Sequence, residues 1–198
     1  MGQRRTVVFG PLLLFAAAGL GRVPAATAQG LAPTPACGDH GVEPTAAETE
    51  GPYFKPRSPE RRSLLDPGLV GSTIVLVGRV LAPNCRPIAS ALLDFWHADG
   101  TGAYDNAGYR CRGHQFTDGD GRYHLMTVAP GSYPGRTRHI HVKVQARGGP
   151  LLTTQLYFPG ERQNRADPLF RRDLLVTVGA DPARSGTLAR FDFVLRAA

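Results

Sequence analysis

From Thr73 to the C-terminus, apolar and polar positions alternate in short runs separated by turn residues, the period-2 signature of half-buried strands. "TIVLVGRVLA" is followed by the turn "PNCRP" and then "ASALLDFWHA"; "GHQFT" is followed by "DGDG" and then "RYHLMTV". "HIHVKVQA" leads through "RGGP" to "LLTTQLYF", and the late runs "LLVTV" and "ARFDFVL" complete the series. About eight strands at roughly 8–12-residue spacing point to an antiparallel sandwich or barrel. The expectation taken forward is all-β: an antiparallel β-sandwich of about eight strands, with an extended N-terminal arm and little helix. One short helix is predicted in "ERQNRADPLF", ahead of the last pair of runs.

Residues 29–60 are rich in Pro, Gly, Thr and Glu without helical periodicity and read as an arm laid over a domain of residues 61–198. Residues 1–28 differ again. The chain opens with basic residues, an apolar run extends from Val7 to about Leu20, and "ATA" at Ala26–Ala28 supplies small residues for cleavage. That is the layout of a signal peptide, and its apolar run is short of the ~20 residues a membrane span needs. It predicts a periplasmic or secreted protein with no stable membrane span after cleavage, the alternative being a retained anchor. Arg4-Arg5 loosely fits a twin-arginine signal.

The 198 residues less those 28 leave 170, enough for one cored domain and too few for two ordinary ones. Cleavage removes Arg4, Arg5 and Arg22, leaving 20 basic against 16 acidic residues, +4 in place of +7. The basic residues are scattered and form no stripe with aromatics, so nucleic acid is not an expected partner. Cys37, Cys85 and Cys111 are an odd set with no Cys-x-x-Cys spacing, which predicts one disulfide and one leftover thiol outside the cytoplasm. Cys85–Cys111 is the disfavoured pairing, because the strand order sends those two turns to opposite ends of the sandwich.

Alternation then places chemistry. In "HIHVKV", Ile140, Val142 and Val144 share the core face, while His139, His141 and Lys143 share the other, so both imidazoles can reach one ion from one side. Tyr133 sits between turn-forming pairs in "PGSYPG" just ahead of them, and Tyr104 lies in the Gly-rich loop "WHADGTGAYDNAG". Zinc draws mainly on Cys, His and carboxylate. Two phenols with pKa ~10 ionise only against a strong Lewis acid, which favours a hard trivalent ion, with Fe(III) the biological candidate.

"TEGPYF", "GRVLAPNCRPIASALLDFWHADGTGAYD", "RGHQFTDGDGRYHLMTVAPGSYPGRTRHIHVKV" and "TTQLYFPG" resemble, in order over roughly residues 48–160, the intradiol ring-cleavage dioxygenases. The likeness is to short exported members and the protocatechuate type. The resemblance implies one mononuclear non-haem Fe(III), held by Tyr104, Tyr133, His139 and His141. Their net charge of about −2 against +3 leaves room for a hydroxide. It further implies a small aromatic diol and O2 as substrates, cleavage between the two hydroxyl-bearing carbons, and cis,cis-muconate-type products. By motif position Arg136 is a catalytic and substrate-binding arginine, Tyr133 a ligand that also takes a proton, and Gln155 a residue near the iron. Pro52 and Tyr53 match a segment lining the substrate pocket.

Trp96 and His97 read as structural, and His40, His114 and His124 are assigned to no metal. Arg110, Arg112 and Arg138 could set a cation near a ring carboxylate. Homo-oligomerisation stays open. Two other readings exist for the same residues: a zinc hydrolase using His139, His141 and one of His97, His114 or His124, and a non-catalytic sandwich module of the transthyretin-like kind.

Overall fold

The computed structural model describes Gly2, residues 42–181 and residues 186–196. The expected signal segment, Gly2 apart, residues 29–41 of the arm, and with them His40 and Cys37, lie outside the described residues. Nine strands occur among the described residues: β1 (Thr73–Leu81), β2 (Leu92–Trp96), β3 (Arg112–Phe116), β4 (Arg122–Val128), β5 (His139–Gln145), β6 (Leu151–Tyr157), β7 (Thr177–Ala180), β8 (Thr187–Arg190) and β9 (Phe193–Val194). "ARFDFVL" thus splits at Phe191-Asp192 into the end of β8 and a separate β9. In place of one helix there are two 3-10 turns, Arg162–Arg165 and Arg172–Leu174.

One sheet has the order β3-β2-β5-β6 and is antiparallel throughout; the other has the order β4-β1-β8-β7, with β9 also on β1. "PNCRP" and "DGDG" do not join neighbouring strands of one sheet: each carries the chain from one sheet to the other, which is how a sandwich rather than a meander arises. The pairings of β1 with β8 and β9 are parallel, a departure from the antiparallel expectation. A parallel neighbour needs a long crossover, and all four strands of the β3-β2-β5-β6 sheet intervene between β1 and β8.

The core lies between the sheets. Ile74, Leu76 and Val80 of β1 and Leu125 of β4 meet Leu93 and Phe95 of β2, Ile140, Val142 and Val144 of β5, and Leu156 of β6. A side chain of that size contributes roughly 1.5–3 kcal/mol when fully buried. Register then fixes what remains on the outer face of the antiparallel sheet. Trp96 pairs with His141 and Asp94 with Lys143, while on the other side of β5 His139 pairs with Tyr157 and His141 with Gln155.

The arm passes the edge of β6 at residues 42–46, where Thr45 N donates to the Val194 carbonyl, and residues 48–60 lie across that outer face. Glu48 donates its backbone N–H to the Thr153 carbonyl, Gln155 its side-chain amide to the Thr49 carbonyl, and Thr154 its hydroxyl to the Ala46 carbonyl. Ser58 donates to Asp94 at 2.7 Å, and His114 Nδ1 donates to the Ser58 carbonyl, also at 2.7 Å. Lys143 pairs with Glu50 and lies 3.5 Å above the Phe54 ring. Cys85 is disulfide-bonded, whereas Cys111 is free and buried, its thiol pushed up to about 12 chiefly by burial. Among the described residues no helix is long and apolar enough to cross a membrane.

Candidate active site

Two loops at one end of the sandwich bring the site together. The first, between β2 and β3, carries Tyr104; the second, between β4 and β5, carries Tyr133 and Arg136. They pack backbone against backbone. Gly102 has φ +88°, and a Cβ there would lie 2.5 Å from the Ser132 carbonyl oxygen; one on Gly131 would lie 2.4 Å from Gly102 N. Only glycine tolerates both constraints. Within the second loop, Arg136 N donates to the Tyr133 carbonyl at 2.9 Å, and Pro134 precedes Gly135 at φ +79°. That is a type II turn pattern, and it sets Tyr133 and Arg136 side by side.

Beneath the loops, β5 presents its histidines. His139 and His141 are buried, with Nε2 atoms 3.1 Å apart. The Tyr104 and Tyr133 hydroxyls each stand 3.5 Å from His139 Nε2. His139 Nδ1 donates to the Thr137 carbonyl at 2.6 Å, so its Nε2 carries the lone pair. His141 stacks on Trp96, with ring centroids 4.9 Å apart, and its Nδ1 is buried without a hydrogen-bond partner.

Burial raises the Tyr104 phenol well above its ordinary range, and the Tyr133 phenol adds to the shift. Tyr133 is also raised by burial, but the Arg136 charge and a hydrogen bond with Tyr104 pull it back. Burial, then the Arg136 charge, hold His139 down to about 4; burial and then His139 drive His141 well below its usual range. Left alone, the group is two neutral phenols and two neutral imidazoles crowding their donor atoms together. Two phenol oxygens and an imidazole nitrogen within 3.5 Å of the His139 lone pair form a donor set that fits one hard, highly charged cation. The four predicted ligands are thus brought to one point.

Arg136 lies against this group and is held from two sides. Its Nε reaches Asp167 Oδ1 and Oδ2 at 3.1 and 3.0 Å, and its Nη2 donates to Gln155 Oε1 at 2.5 Å. Asp167 also accepts the backbone N–H groups of Thr137 and Leu169. Burial works against the Arg136 charge, but the Asp167 carboxylate more than offsets it. Gln155 is fully buried; its Oε1 also lies 3.2 Å from the Tyr157 hydroxyl, and its Nε2 is used by Thr49. Its amide is occupied, so its place is to orient Arg136.

Tyr53 of the arm stacks on Tyr104, with centroids 4.2 Å apart and planes at 16°, and meets Tyr133 edge-on. Pro52, beside it, is exposed. Arg138 makes an ion-pair contact of 3.2 Å with Glu161. Arg112 is buried and donates to backbone carbonyls, Arg110 is exposed, and neither Arg112 nor Arg138 is free for a ring carboxylate. Asp167 escaped sequence reading, because its partner lies 31 residues away; its one local signal is the Asp-Pro start of a turn.

His97 is structural, as expected: Nδ1 donates to the Ala98 carbonyl and Nε2 accepts from the Thr127 hydroxyl, both at 2.7 Å. His114 is committed to Ser58. Among the described residues no three His, Cys, Asp or Glu side chains are grouped to hold an ion, so the zinc-hydrolase arrangement has no third ligand.

Known proteins resemble this chain over the region that carries the site. A family model described as Dioxygenase matches residues 49–197. The protocatechuate 3,4-dioxygenase beta chain of Burkholderia cepacia is 32% identical over 154 residues, 64% of this chain and 66% of that one. Catechol 1,2-dioxygenase 2 of Acinetobacter lwoffii is 31% identical over 143 residues, 59% and 52% of the two chains. The chain therefore spans between half and two thirds of the length of these curated relatives. Among solved structures, the dioxygenase domain of a dioxygenase and carbohydrate-binding protein fusion from Streptomyces sp. SirexAA-E superposes with a TM-score of 0.75 at 52% identity, covering 79% of this chain and 100% of that one. With the family model running from the arm to the last strands, over the site itself, the chain belongs to the intradiol ring-cleavage dioxygenase family.

Proposed function

We propose that this chain is a non-haem Fe(III) dioxygenase that opens catechol-type aromatic diols between the two hydroxyl-bearing carbons, using O2 and giving cis,cis-muconate-type products. The observation that carries the reading is the meeting of the Tyr104 and Tyr133 hydroxyls with His139 and His141 Nε2, at 3.1 to 3.5 Å, beside Arg136. These four side chains would hold the ion, and the relatives' names supply the reaction class. Bound there, a ferric ion would supply the Lewis acidity that lets a diol bind as its anion and react with O2.

The chain's own residues do the rest. His139 is oriented by the Thr137 carbonyl, which leaves Nε2 as its ligating atom. Tyr133 lies beside Arg136, whose charge favours its phenolate, and as the phenolate it would take a proton from the incoming diol. Arg136 is fixed by Asp167 and Gln155 through Nε and Nη2, leaving Nη1 to stabilise negative charge developing on the ring. The Tyr53 ring walls the site from water on the arm side.

We also infer that the protein works outside the cytoplasm: residues 1–28 have signal layout, and the Cys85 disulfide suits an oxidising compartment. The test is the iron-loaded purified protein. It should show a broad visible tyrosinate-to-iron band that moves on adding catechol, together with O2 uptake and a ring-opened dicarboxylate. A colourless protein carrying stoichiometric zinc and consuming no O2 overturns the reading.

A further inference from the structure

We propose that Arg112 is a positioning residue that locks the arm to the Tyr104 loop, and so sets the place of both Tyr104 and the Tyr53 wall. Arg112 opens β3, is 2% exposed, and pairs with Trp96 on the sheet face that carries the site. A buried guanidinium is ordinarily matched to a carboxylate. Arg112 is matched to main chain instead. Its Nη1 donates to the Tyr53 carbonyl at 2.6 Å, and its Nε and Nη2 donate to the Asp105 carbonyl at 3.2 and 3.1 Å. The first carbonyl belongs to the arm; the second belongs to the residue directly after Tyr104.

A guanidinium is a rigid planar fork, so its two sides hold their acceptors at a set separation. The fork joins the backbones of the two segments whose side chains form the Tyr53–Tyr104 stack. Asp105 passes the constraint along its loop: its carboxylate accepts the backbone N–H groups of Ala107, Gly108 and Arg110. Other stitches join the same segments further from the site. Lys55 donates to the Ala107 and Gly108 carbonyls, Arg61 to those of Tyr109 and Arg112, and the Tyr109 hydroxyl to that of Pro56. None of those donor side chains belongs to a buried residue. Arg112 is the buried member of the set, and it acts next to Tyr53 and Tyr104 rather than at the outer end of the loop.

Losing the fork would leave two part-buried carbonyls without their donor and free the arm to part from the loop. The sheets, which Arg112 does not bridge, would keep their structure. One consequence, arm opening, is independent of any ion. The other, weaker ion retention, rests on the ferric reading above.

The experiment compares wild type, Arg112→Met, Arg112→Lys and, as a control on the outer face of the other sheet, Arg79→Met. On the metal-free proteins, chymotrypsin should cut after Tyr53 or Phe54 about tenfold faster in Arg112→Met, with Arg79→Met unchanged. Once iron-loaded, Arg112→Met should lose iron to a chelator about tenfold faster. Its tyrosinate band should shift, and KM should rise by a larger factor than kcat falls. Arg112→Lys, whose single ammonium cannot reproduce the fork, should fall between the two and carries the test if Arg112→Met does not fold. Cleavage rate, band position and KM all within about twofold of wild type overturn the proposal, since loss of hydrogen bonds to a charged donor has a larger effect. So does a fall in melting temperature with no change in the band. If wild type binds no iron, the ferric reading fails alone, and the protease comparison still decides the clamp.

Discussion

Arg136 keeps its charge near the candidate ligands because Asp167, itself fully buried at its side chain, supports it from behind. The pair is therefore a unit, and removing its anionic half should be worse than removing a surface partner. Asp167→Ala would strand the Arg136 guanidinium and two backbone N–H groups, those of Thr137 and Leu169. Breaking a buried pair from one side costs about 3–5 kcal/mol, so the urea midpoint should drop accordingly and turnover of catechol should fall with it. Asp167→Asn keeps acceptor capacity without the charge and should retain more of the stability than of the activity. Equal loss in both assays for the two variants would show that the carboxylate's charge does nothing for Arg136. A gentler case is Tyr133→Phe, which removes one hydroxyl from the group: the visible band of the iron-loaded protein should weaken, and an unchanged spectrum would remove Tyr133 from the ion.

At the scale of elements, the site is a face of one sheet closed by two loops and an arm. The histidines were legible because a strand's period of two puts residues 139 and 141 on one side whatever the rest of the fold does. The turns flanking Tyr133 were legible from the Pro-Gly pairs on either side of it, whereas Arg136 was assigned only through the family resemblance. The contacts of Arg112 with Tyr53, Asp167 with Arg136 and Thr127 with His97 were not legible, since each joins residues 30 or more apart with no periodicity to announce them. The parallel placement of β8 beside β1 was hidden for the same reason: strand direction across a long crossover leaves no mark in local alternation. The loop contact itself makes a prediction. Gly102→Ala forces a Cβ to 2.5 Å from the Ser132 oxygen at a φ of +88°. Relief requires the Tyr104 and Tyr133 loops to separate, at about 1–3 kcal/mol for the backbone alone. Gly119→Ala, where no atom lies within 4 Å, should be near neutral. Iron content after purification should fall in the first variant and not in the second; matching contents would mean that the loop contact does not place the tyrosines.

For the whole molecule, the cost of holding neutral imidazoles in the interior should appear as a pH dependence of the metal-free fold. His97 and His139 are each held down to about 4 from an ordinary value of 6.5, first by burial in both cases. Between those two values the unfolded chain takes up protons that the folded chain excludes, so each step down in pH favours unfolding. The stability in question is fully present above pH 6.5 and is lost as pH falls toward 4, on the order of 3 kcal/mol for each histidine over the window. His141, also held well below its usual range by burial and then by His139, adds to the loss. Urea midpoints of metal-free protein should therefore hold between pH 8 and 7 and drop steeply between about 6 and 4.5. His97→Gln separates the contributions, because a glutamine amide can still meet Thr127 but does not titrate. That variant should start less stable at pH 7.5 and show a shallower slope, by up to about 1.4 kcal/mol per pH unit. Parallel slopes for the two proteins would place the acid sensitivity elsewhere in the molecule.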